Sequence, residues 1–390
     1  MRQRAWIMPH QNKRRGNFVP AYIFSFMIYG AVTPYLPLLV RDLGYSPFFV
    51  GVMLAVFEAA GMAGPFVLGY FADKWGTYRF FITATFILSV AAIFPLALFA
   101  RPVISVIAVT VFAFAFRSTT PLLDAVTTIA IGKTGNYGKI RATGSISYIV
   151  LVMVLQFTTI ARPVNAVNIA FWIALTSIVS IVPALLLPRT VDQGEGRRYP
   201  KSPVKKSARI WTMPFLFGFL LIFLCRLGLS PVYSFFSLYL TEALRWNAVG
   251  ALNALAAASE VPFMFISARL IRRFGPLPLL AVSAAAIALR MVLYVFPFKG
   301  AIIAGQCLHS LCFGIFHPSA VMFIIGSVPP EKRALGMSLY LSLGTGLPAL
   351  LGNLLGGFIL ETSGYTALFV SFTVPSLAAL VIFAIMHKNK

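Results

Sequence analysis

Charge is scarce in this chain. Of its 390 residues only 11% are charged, and just 10 are Asp or Glu. A soluble protein carries about 25% charged residues. Hydrophobic residues make up 59%, and the mean hydropathy is +0.86. A surface that could keep such a chain in water is missing, so the two or three soluble domains that the length would suit are excluded. Cysteine is rare too. Cys225, Cys307 and Cys312 all stand in apolar stretches, which excludes a disulfide framework and says nothing firm about redox compartment. No G-x-x-x-x-G-K-[ST] run is present, so ATP is not the expected energy source. There is no H-E-x-x-H and no well-placed nucleophile–base pair, which argues against an intramembrane protease. Neither a cofactor nor a metal ion is expected, and the protein is not expected to be an enzyme.

What is present is long apolar stretches. A helical membrane span takes about 20 residues. Twelve spans are expected, at 18–40, 48–72, 80–100, 103–131, 141–160, 167–187, 213–240, 248–270, 277–296, 301–326, 334–360 and 366–386. They leave only short loops. The reading is an all-α polytopic membrane protein in contact with the lipid bilayer, built of two pseudo-symmetric six-helix bundles. One bundle covers 1–187 and the other 211–390. A polar, basic, Pro/Gly-rich segment at 188–210 reads as a flexible cytoplasmic linker. The first apolar run is too long for a signal-peptide core and lacks a small-residue cleavage site, so it reads as the first span.

The net charge of +22 is distributed unevenly. Of the 32 Lys and Arg, five (Arg41, Arg101, Arg162, Arg245 and Lys299) fall in loops on one side. Three (Arg117, Arg226 and Arg290) fall inside apolar segments, and the other 24 lie on the opposite side. This is the positive-inside bias of an inner or plasma membrane protein with both termini in the cytoplasm. It accounts for the basic balance without nucleic acid.

The halves read as weak repeats. Val50-Gly51 matches Val249-Gly250, and FADKWG ending at Gly76 matches LIRRFG ending at Gly275, each at an offset of 199 residues. Parallel six-span repeats are a transporter signature. Pro34 and Pro37 in the first span and the glycines of the eleventh, from Gly344 to Gly357, suit kinks and close helix packing, with a hinge role equally open.

A charge at the centre of a span costs roughly 2.5–3.5 kcal/mol on insertion scales, so it needs a partner or a wet cavity. The apolar stretches carry Glu58, Arg117, Asp124, Arg226, Glu260, Arg290, His309 and His317, with Arg141 at the mouth of the fifth span. This set suggests a central polar cavity for substrate binding or proton coupling. Arg117 and Asp124 share a face of the fourth span, too far apart for a direct pair. Arg141 can reach Asp124, either to fix two helices or to serve substrate or gate. Glu260 lies mid-span, and Glu58 lies one turn from its repeat position. Each can load and release a proton or remain paired with an arginine. His309 and His317 stand eight residues apart, which on a regular helix separates them by about 80° and about 12 Å. That is poor for a shared metal ion and suits proton or hydrogen-bonding roles. Arg226 has no evident partner, and a structural and a functional role stand equally open.

Between the second and third spans, Gly69-Tyr-Phe-Ala-Asp73-Lys-Trp-Gly76-Thr-Tyr-Arg79 resembles the G-x-x-x-D-x-x-G-x-[KR] loop motif of the major facilitator superfamily, with the basic residue displaced to Arg79. The resemblance implies that fold and a cytoplasmic gating role for Gly69, Asp73, Gly76 and Arg79. Tyr137-Gly-Lys-Ile-Arg141 is similar to the fifth-helix entry of lactose-permease-like symporters, where the arginine pairs with a fourth-helix carboxylate. Gly305-Gln306-Cys-Leu-His309, continuing to Phe313 and His317, looks like the tenth helix of phenylpropionate-permease-like proteins, near the nucleoside proton symporters. Glu260, Arg290 and His309 follow the order of acid, arginine and histidine in lactose permease, but the proton-carrying Glu that follows there is Cys312 here. Coupling therefore falls to Glu260 or a histidine, with Glu58 as a further candidate beside them.

The expectation is a secondary transporter of a small organic solute (an aromatic acid, a nucleoside or a sugar). It would work by proton symport with alternating access, and a monomer would suffice. An exporter or uniporter of the same fold, or a non-transporting receptor or scaffold, are the alternatives.

Overall fold

The computed structural model describes residues 18–131, 137–158, 164–188 and 211–388, and among these it contains helices and no strand. Residues 189–210 of the expected linker, Arg162 and the basic segment before Phe18 lie outside them. Span 1 is a bent pair, Val19–Val32 and Leu36–Asp42, meeting at 41°. Spans 2 to 6 are Pro47–Trp75, Tyr78–Leu98, Pro102–Ile131, Tyr137–Phe157 and Ala166–Leu185. Span 7 is Met213–Ser234, continued by Phe236–Leu238 and a π turn at Tyr239–Ala243. Spans 8 to 10 are Val249–Phe274, Pro276–Val295 and Lys299–Ser327.

The remaining helix, Leu335–Lys388, runs for 54 residues. At 1.5 Å per residue it would be about 80 Å long, far more than a bilayer. It breaks at Gly364, whose φ of 78° and ψ of −177° leave the helical region. Glycine tolerates that conformation because it has no Cβ. Counting this helix as spans 11 and 12 brings the total to twelve.

Local chemistry explains where the helices start. Pro47, Pro102 and Pro276 sit at first helical positions, where the missing N–H is no loss. Ser46, Asn165 and Thr212 accept from Phe49, Asn168 and Phe215 N–H and cap spans 2, 6 and 7. The repeat is visible in the backbone. Gly76 and Gly275 both have positive φ, 63° and 81°, and follow spans 2 and 8. The break in span 1 at residues 33–35 recurs at Phe235 in span 7.

Within the first half, span 4 packs on spans 2 and 3, and span 1 on spans 5 and 6. In the second half, the helix that forms spans 11 and 12 packs on spans 7 and 9. Large apolar side chains such as Phe80 and Phe265 face outward, as lipid contact requires. The halves meet where span 2 crosses span 11 and span 5 crosses span 8. At the first crossing a Cβ on Gly51 would lie 2.4 Å from the Asn353 carbonyl and 2.9 Å from Gly357 Cα, so only glycine permits this approach.

Among the described residues, hydrogen bonds between the halves gather at the end remote from the linker. Arg41 Nε donates to Glu242 Oε1 at 2.6 Å. Phe48 N–H donates to Glu361 at 2.7 Å. Gln156 accepts from Gly250 N–H at 2.9 Å and donates to the Asn247 carbonyl at 2.9 Å. That end is closed.

Candidate functional site

A cavity of about 130 Å³ lies between the halves, lined by Thr33 and Tyr148 from the first and by Tyr233, Asn253, Glu260 and His309 among others from the second. A single water needs only about 10–15 Å³, so the space is on the scale of a small solute.

The second-half wall is a connected polar relay. Arg290 on span 9 is fully buried. Its Nε donates to Tyr294 Oη at 2.9 Å, its Nη2 donates to Gln306, and its Nη1 lies 2.8 Å from His309 Nδ1. His309 Nε2 lies 2.7 Å from Glu260 Oε1 on span 8. A guanidinium only donates, so His309 Nδ1 is the acceptor and its proton sits on Nε2. His309 is therefore a neutral imidazole that donates to the Glu260 carboxylate. The Arg290 charge is answered by Glu260 through that ring.

The first-half residues form two separate pairs. Arg141 Nη1 donates to Asp124 Oδ2 at 2.9 Å and to Tyr137 Oη at 2.8 Å. Tyr22 Oη donates to the other Asp124 oxygen at 2.6 Å. Arg117 donates to Glu58, and its guanidinium lies 5.1 Å from the centre of the Phe57 ring. Glu58 is thus in the arginine-paired state that the sequence left open, whereas Glu260 lines the cavity with its His309 bond. No bond joins Arg117 to Asp124.

The two histidines depart from the regular-helix expectation. Span 10 contains a π segment, Ser310–Ile315. A π turn closes on the fifth residue, so a four-residue step falls short of a full turn where an α-helix overshoots. The two deviations offset each other. His309, Phe313 and His317 stack as a ladder, with centroid steps of 5.9 and 5.7 Å and interplanar angles of 3° and 9°. The 80° separation is replaced by near alignment, while the axial distance stands. His317 Nδ1 lies 2.8 Å from Tyr340 Oη. Among the described residues no group of three or more His, Cys, Asp or Glu could hold a metal ion.

At the loop motif, Asp73 accepts from the Tyr78 hydroxyl across the turn at Gly76. Gly69 has open space around it, and Arg79 stands in the first turn of span 3.

Several residues of the cavity wall and of the relay behind it escaped the sequence reading. Tyr294 sits four residues after Arg290, a spacing that places both on one helix face and could have identified it. Gln306 stands in the quoted Gly-Gln-x-Leu-His run. Tyr148, Tyr233 and Asn253 carry no local signal, since aromatic and amide residues are as common on lipid-facing or packing positions.

The MFS_1 like family model matches residues 18–371. An uncharacterized transporter of Bacillus subtilis (strain 168), YwbF, is 26% identical over 372 residues, covering 92% of this chain and 89% of the relative. A maltose permease of Geobacillus stearothermophilus is 26% identical over 263 residues, covering 66% and 64%. Among solved structures, the nucleoside transporter NupG superposes with a TM-score of 0.80 at 17% identity, over 97% of this chain and 100% of NupG. At that identity the likeness speaks to the fold alone.

Proposed function

The chain belongs to the MFS_1-like family and is a multi-pass membrane transporter of small solutes rather than an enzyme, and from that premise we propose that it imports a small organic solute together with a proton by alternating access. In the orientation proposed here the linker and both ends of the described chain face the cytoplasm, as the positive-inside bias favours. The cavity then opens toward the cytoplasm, with the far end closed by the contacts around Glu242 and Gln156.

One observation carries the reading. Glu260 is the carboxylate that combines a place on the cavity wall with a hydrogen bond from a neutral imidazole backed by a buried arginine. Glu58 and Asp124 each have an arginine of their own. A carboxylate that faces both solute and water is suited to load and release a proton as access alternates. Rocking of the two halves about this site moves Glu260 from one aqueous side to the other.

The test is Glu260→Gln. Accumulation driven by an imposed pH gradient in proteoliposomes is expected to vanish, while solute exchange without a gradient persists. Undiminished accumulation in that variant removes Glu260 from coupling and ends the proton reading in this form.

A further inference from the structure

The matched Val-Gly pairs of the two repeats mark the places where the halves cross. Val50-Gly51 stands near the start of span 2, which crosses span 11, and Val249-Gly250 opens span 8, which crosses span 5. The two approaches are equally close. A Cβ on Gly250 would lie 2.3 Å from the Val152 carbonyl, much as one on Gly51 would lie 2.4 Å from that of Asn353.

The first turn of a helix has N–H groups without partners inside the helix, and a side chain just before the helix normally caps them. Span 8 has no such cap. Its N-cap residue is Ala248, whose side chain holds no acceptor. Gln156 on span 5 supplies one from the opposite half. Its Oε1 accepts from Gly250 N–H at 2.9 Å and from Ala251 N–H at 3.4 Å, while its Nε2 donates to the Asn247 carbonyl at 2.9 Å. Span 2 is capped twice. Ser46 takes the Phe49 N–H, and the Phe48 N–H goes to Glu361 at 2.7 Å, just beyond the apolar stretch of span 11. The Ser46 hydroxyl and the Phe48 N–H hold the Glu361 carboxyl below its ordinary range, helped by Arg41. Its charge also faces the positive end of the span 2 dipole.

Both acceptors belong to the half opposite the helix they cap, so both bonds are lost when the halves part at this end. We propose that Gln156 and Glu361 are the gate residues of the far end, each capping a helix of the opposite half, and that the two caps form and break together as access alternates. A contact made in one state and absent from the other is what biases a two-state balance. Gln156 is the stronger latch, because span 8 has no cap of its own, whereas span 2 keeps Ser46. The inference rests on the alternating-access part of the transport reading and not on the proton.

The experiment uses the full chain in lipid nanodiscs, without solute or gradient, and amide hydrogen exchange resolved to single residues. In the unmodified protein Phe48, Gly250 and Ala251 are expected to exchange through one common opening, with protection factors that agree within about tenfold. A wider spread shows independent fraying and overturns the proposal without recourse to any variant. Gln156→Leu is expected to speed exchange at Gly250 and Ala251 about two- to thirtyfold, the range for losing a helix cap. It is expected to speed Phe48, at the other crossing, as well. In a background lacking the native cysteines, it should also raise the reaction of a Ser237→Cys reporter on the cavity wall with an impermeant maleimide added from the far side. Glu361→Ala is expected to act in the same direction but less, and Glu361→Gln, which keeps an acceptor for Phe48, less again. Faster exchange confined to the altered crossing, or faster exchange with unchanged labelling, shows a local cap without a gating role and overturns the proposal. None of these measurements involves Glu260 or a pH gradient, so the gate and the proton reading fail separately. If the reporter never reacts from the far side in any variant, alternating access itself fails and the gate with it.

Discussion

His309 has its protonation state set by its neighbours. Arg290 can only donate, so Nδ1 accepts and Nε2–H faces Glu260. A glutamine amide also offers one acceptor and a donor. His309→Gln is therefore expected to keep both bonds and retain proton-driven accumulation within about tenfold, while Glu260→Gln abolishes it. If His309→Gln loses accumulation as completely, the imidazole itself carries the proton. His309→Leu is a different case. It leaves the buried Arg290 short of an acceptor, at a cost of about 1–3 kcal/mol, and should lower the thermal midpoint of the purified protein measurably below that of the Gln variant. The sequence shows the titratable members of this group, because charges stand out in apolar stretches. It does not show which acid meets which base. Glu58 and Glu260 look alike along the chain, yet one is closed off by Arg117 and the other lines the cavity. That difference is set by packing between spans.

At the scale of elements, apolar run length and turn residues located the spans to within a few residues, because lipid leaves the backbone little choice but helix. The same reasoning fails inside span 10. A 3.6-residue period assumes a uniform helix, and the π segment Ser310–Ile315 breaks that assumption where the histidine ladder forms. No side chain there announces it. The glycines of span 11 were legible as close-packing residues, but the partner was not. Gly51 on span 2 meets Asn353 and Gly357 so closely that a methyl group there must push the spans apart. This contact joins the two halves in the conformation described here. Gly51→Ala is accordingly expected to disfavour this state. In a background lacking the native cysteines, a Ser237→Cys reporter on the cavity wall should react faster with an impermeant maleimide added from the far side. An unchanged labelling rate shows that the crossing yields without shifting the conformational balance.

For the molecule as a whole, closure of the far end rests on a small set of polar contacts between halves. Arg41 reaches Glu242, which also accepts from Tyr365 Oη at 2.7 Å. Both side chains of the ion pair are about a third exposed, 35% and 34%. An ion pair so placed contributes about 0–1 kcal/mol, because water and salt screen it. A device of that size cannot lock the transporter. It biases a two-state balance by at most about fivefold, which is what a gate that opens in every cycle requires. The prediction follows from this magnitude. Glu242→Gln is expected to increase far-side labelling of the Ser237→Cys reporter about two- to fivefold, and raising the salt concentration is expected to do the same to the unmodified gate. The charge-reversed pair Arg41→Glu with Glu242→Arg is expected to bring labelling back toward its original rate. If neither Glu242→Gln nor added salt alters the rate, the closed end is held by the Gln156 bridge and by helix packing at Gly51–Gly357, and the ion pair only accompanies closure.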